Sequence, residues 1–66
     1  MNYTDLKRTE NKINVMQAKL GLMRAEIKQA QNDVEYNDLM DELKSLERDI
    51  DRTQAIYIKG KELYNA

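Results

Sequence analysis

Asp33, Glu35, Asp38, Asp41 and Glu42 crowd the middle of this 66-residue chain, and carboxylates at such density are the raw material of a hard-cation site. Their spacing argues against that use. A calcium loop alternates its oxygen ligands and turns on a glycine, and no Gly stands between Gly21 and Gly60. Carboxylate bundles that hold two metal ions present Glu-x-x-His pairs from facing helices, and the chain has no His. Without His or Cys there is also no imidazole relay, zinc finger, thiol nucleophile or disulfide. Tyr36, Tyr57 and Tyr64 are able to stack on bases, and Met16, Met23 and Met40 to make a soft binding groove. Their positions in a heptad pattern, set out below, assign them instead to packing or to its margin. The expectation is a protein with no catalytic residues, metal ligands or cofactor, in which the central acids cap and solvate a bend.

Composition agrees with a helical, non-enzymatic design. Charged residues make up 35% of the chain, with two Gly and no Pro, which favours long solvated helices over a sheet. A chain this short forms one domain and buries only about 60% of its unfolded surface, so it is expected to lean on a partner. No apolar run reaches the roughly 18 residues of a membrane span, and Met1 to Lys12 lacks the apolar centre of a signal peptide. The expected location is the cytoplasm, with no membrane partner. The Asn, Lys, Ile and Tyr content suits an AT-rich bacterial, phage or mobile-element genome.

Two heptad series position these residues. Asn2 and Thr4 offer N-cap oxygens and Asp5 a first-turn carboxylate, which starts a first helix spanning about 4–31. Leu6, Ile13, Leu20, Ile27 and Val34 recur every seven residues, with Thr9, Met16, Met23 and Ala30 at the intermediate core position. A second series has Tyr36, Leu43, Ile50, Tyr57 and Tyr64 at one core position and Leu39, Leu46, Thr53 and Gly60 at the other, which predicts a helix over about 38–63. Gly60 either ends that helix or is carried in its last turns.

The two series are out of phase. Continuing the first would bring Asp41 and Arg48 into the core, because the second lies two residues later, a rotation of about 200°. Between them Gln31 to Asp38 is rich in Asn and Asp, weak helix formers whose side chains bond nearby backbone. A bend over about 32–37 and an antiparallel two-helix hairpin follow, all-α and coiled-coil-like. Paired residue numbers then add to a constant: Ile13 with Thr53, Met16 with Ile50, Leu20 with Leu46, Met23 with Leu43, Ile27 with Leu39, Ala30 with Tyr36. The charges suit this pairing: residues 1–30 carry six Lys or Arg against three acids, and residues 31–66 five against nine.

Val15, Leu22, Ile56, Ile58 and Leu63 fall outside both seams. Their expected use is association, either of two hairpins into a homodimeric four-helix bundle or with a heterologous protein, with Val15, Leu22, Ile56 and Leu63 as the interface. Gly21 costs about 1 kcal/mol in mid-helix relative to Ala, and marks either simple tolerance or the close approach of another backbone. Lys7, Arg8, Lys12, Lys19, Arg24 and Lys28 make the first helix basic, and Lys12 and Lys19 lead as possible nucleic-acid contacts. The chain as a whole is at −1 with a pI near 5.3, a poor match to strong phosphate capture. In length and central bend the chain resembles the Rop-type hairpin, a small RNA-binding family that pairs into a four-helix bundle. That likeness is architectural, implies dimerisation and RNA binding, and carries over no RNA-contacting residue. The leading expectation is a regulator or inhibitor acting by protein–protein binding. The alternatives are an RNA- or DNA-binding regulator and a purely structural scaffold.

Overall fold

The computed structural model describes residues 2–65, which form two α-helices folded into an antiparallel hairpin: α1, Tyr3–Lys28, and α2, Asp33–Asn65. Asn2 starts α1 in the expected way. Its backbone is extended, and its side-chain oxygen accepts the Asp5 N–H at 2.8 Å.

The bend is shorter and earlier than the sequence suggests, covering residues 29–32 rather than 32–37. Gln29 leaves helical geometry at φ −103° and ψ 4°. The N–H groups of Gln29 and Ala30 reach back three residues to the carbonyls of Glu26 and Ile27, tightening the last turn. Asn32 then caps α2, its side-chain oxygen accepting the Glu35 N–H at 2.8 Å while Glu35 reaches back to the Gln31 N–H at 3.4 Å. This Asn-x-x-acid cap repeats the Asn-x-x-Asp that opens α1. It makes Asn32 a start signal, so the weak helix formers at 33–38 are carried inside α2 with Asp33 and Glu35 favourably placed in its first turn. Replacing Asn32 by Ala is expected to cost about 1 kcal/mol, seen as a fall in melting temperature of about 4–8 °C.

Moving the bend corrects the ends of both seams. Val34 falls in the first turn of α2 at 71% exposure, and Tyr36 is exposed one half-turn on, so neither joins the core. At the other end α2 runs through Gly60, which is buried within the helix, and continues to Asn65. Tyr64 is exposed and lies against Tyr3 instead of filling a core position.

Between these ends the seam is as the heptads place it. Leu6, Ile13 and Met23 of α1 and Leu43 and Ile50 of α2 are buried, and Met16, Leu20, Ile27, Leu39, Leu46 and Tyr57 are half-buried around them. Thr9 and Thr53 are admitted to the seam because their hydroxyls donate to the carbonyls four residues back, Asp5 at 2.8 Å and Asp49 at 2.7 Å. Among the described residues no side chain is fully buried. Among the described residues Arg24 and Glu47, 3.7 Å apart and both partly exposed, form the one ion pair that joins the helices, worth at most about 1 kcal/mol. Orientation therefore rests on the short bend and the apolar seam. The result is a rod of 51 × 15 × 11 Å, with a radius of gyration of 15.1 Å against about 11 Å for a compact globule of this length.

Candidate interaction surfaces

A two-helix layer has two long flanks beside its seam and two outer faces. On one flank Arg24 and Glu47 line a shallow groove with Leu20, Ile50 and Asp51. On the other, Lys19 shares a groove with Glu42, Ser45 and Asp49 over the edges of Met23 and Leu46. Both flanks are thus charged along their middle.

The sequence-derived interface residues are all exposed, and the hairpin divides them. Val15 and Leu22, each 67% exposed, lie about 130° around α1 from the direction of α2, on its outer face. Ile56 and Leu63, 52% and 63% exposed, lie about 80° from the seam on α2, on the flank that carries Lys19 and toward the open end of the hairpin. Ile58 is on the opposite flank, where it borders a groove with Glu10, Ile13, Asn14, Gln54 and Tyr57. One patch in the sequence reading is therefore two surfaces, joined obliquely, plus an outlier.

Lys12 and Lys19 are exposed on the flank of Ile56 and Leu63. Glu42 and Asp49 share the Lys19 groove and offset its charge, which weakens it as a phosphate contact.

The open end holds a cluster that sequence reading missed. Tyr3 and Tyr64 pack with ring centroids 6.4 Å apart at 45°, and the Lys7 ammonium sits 5.8 Å from the Tyr3 ring centre while pairing with Glu10 at 3.4 Å. Tyr57, Lys61 and Asn65 complete the rim of this groove. The Glu10 carboxylate, and after it Tyr3, hold the Lys7 ammonium above its ordinary pKa. The signal was available: the pairing constant that sets Leu6 against Gly60 also brings Tyr3 level with Leu63 and Tyr64.

Among the described residues no three His, Cys, Asp or Glu side chains converge as a metal site. No described helix is long and apolar enough to cross a membrane. No protein-family model, curated protein or solved structure matches the chain.

Proposed function

We propose that this protein is a non-enzymatic binding module that regulates or inhibits a partner protein in the cytoplasm by occupying its surface, and that it works as a dimer of hairpins. The observation that carries the reading is the apolar flank of α2, where Ile56 and Leu63 stand exposed beside the seam at seven-residue spacing. Such a pair supplies the desolvated centre of a helix-in-groove contact, and Arg52 and Lys59 on the same helix supply a polar rim. Catalysis is poorly served by this layer, whose shallow seam grooves give little shelter from water to a reacting group.

The experiment is capture from nuclease-treated host lysate with tagged protein, run beside the double substitution Ile56→Lys, Leu63→Lys. One protein species retained in near-equimolar amount by the wild type, and at least tenfold less by the helical double variant, is the expected result. Retention that disappears on nuclease treatment would reject the protein-binding reading. It would favour the RNA- or DNA-binding one, for which the tyrosines at the open end, with Lys7 and Lys61, are the supporting observation. A chain that captures neither class fits the scaffold reading.

A further inference from the structure

The chain has no Trp, Cys or His, so its four tyrosines are the side chains from which a one-electron oxidant draws most readily. A radical formed on one of them has no thiol or indole in the chain to pass to. The hairpin then decides which of the four can react together. Tyr36 stands near the bend, at the other end of a 51 Å rod from Tyr3 and Tyr64. Tyr57 is half-buried at the seam.

Tyr3 and Tyr64 are the one pair of aromatic rings in contact among the described residues, with centroids 6.4 Å apart and planes tilted by 45°. Both residues are more than half exposed, so an oxidant in solution reaches them and no packing holds the rings in place. Each stands in a terminal turn, Tyr3 in the first of α1 and Tyr64 in the last of α2, where helix ends fray and exposed side chains reorient within nanoseconds. The small rotation that brings one ring edge to the other disturbs nothing in the core.

We propose that the open end of the hairpin is an oxidative modification site, at which Tyr3 and Tyr64 couple into an intramolecular dityrosine. The oxidant is a one-electron acceptor of the peroxide-fed haem peroxidase class. Each phenol gives up one electron and its hydroxyl proton, leaving a phenoxyl radical whose unpaired electron is shared with the ring carbons next to the oxygen-bearing one. The two radicals join through one such carbon on each ring. Each joined carbon then releases its hydrogen as a proton and each oxygen regains one, which restores both aromatic rings. The protein loses two hydrogen atoms in all, and these reduce one molecule of hydrogen peroxide to two of water. The new bond closes nearly the whole chain into a loop, removing open conformations from the unfolded state as a disulfide would in a chain with cysteines. Neither Ile56 nor Leu63 takes part, so the inference stands apart from the binding reading.

The test is oxidation of dilute wild-type protein by a haem peroxidase with limiting hydrogen peroxide. The expected product runs as a monomer on a denaturing gel, has the blue fluorescence of dityrosine and is lighter than the parent by two hydrogens. Methionine oxidation adds oxygen, so mass tells the two apart. Trypsin is expected to release the peptide that ends at Lys7 joined to the one that begins at Glu62. Tyr3→Phe and Tyr64→Phe are each expected to lose this product, and Tyr36→Phe to keep it. The stapled chain is expected to melt about 10 °C or more above Tyr3→Phe treated alike. Coupling only between molecules, coupling of either ring to Tyr57, or an intramolecular dityrosine that persists in Tyr3→Phe would overturn the proposal. So would equal melting temperatures, which would mean that the rings meet only once the helix ends have opened.

Discussion

Deleting Gln31 and Asn32 is expected to turn the 51 Å hairpin into a single helix of about 90 Å. Two causes act together. The deletion removes the Asn32 cap that starts α2, leaving Gln29 and Ala30, both good helix formers, joined directly to Asp33. It also cancels the offset between the seams: Ile27 and Ala30 are then followed four residues on by Tyr36 and three after that by Leu39, so one heptad register runs from Leu6 to Gly60. With both seams on one side, the continuous helix can pair with a second copy and bury what the hairpin buried. In the native chain the offset of about 200° makes that swapped form unfavourable, because it turns one seam to water whenever the other is packed. Small-angle scattering distinguishes the outcomes. A deletion variant that kept a longest dimension near that of the wild type would show that something other than cap and phase holds the bend.

Ile50→Asp is expected to abolish the fold at ordinary concentrations. Ile50 is among the most buried residues of the seam, and an aspartate there loses the side-chain packing and leaves an unpaired carboxylate between apolar neighbours. The loss is about 4 kcal/mol or more, against a total stability of about 3 to 10 kcal/mol for a chain of this length. Far-ultraviolet circular dichroism should show most of the helix signal gone. The same change at Ile58, eight residues on and exposed, is expected to cost under about 0.5 kcal/mol. Equal losses at the two positions would mean that Ile58 is covered in solution, and that the flank it occupies is an interface.

The fold was legible because it depends on periods that survive in one dimension. A repeat of seven selects helices with one apolar stripe, and a phase change of two residues excludes a single straight coil, so the hairpin follows from residue types alone. The exact bend was less legible. Asn and Asp oppose the helix interior but also cap helix starts, and only the geometry shows that Asn32 binds the Glu35 N–H and so pulls Val34 and Tyr36 out of the seam and into the first turn of α2.

Which residues are apolar and outside the core was determined by sequence: Val15, Leu22, Ile56, Ile58 and Leu63 had no place in either heptad, and all are exposed. Which of them act together was decided only by tertiary structure. A helical wheel gives angles within one helix and says nothing of how two wheels are turned toward each other. Once the seam fixes that rotation, Val15 and Leu22 go to the outside of α1, Ile56 and Leu63 to a flank of α2, and Tyr3 and Tyr64, far apart in the chain, meet at 6.4 Å because the antiparallel return brings the two ends level.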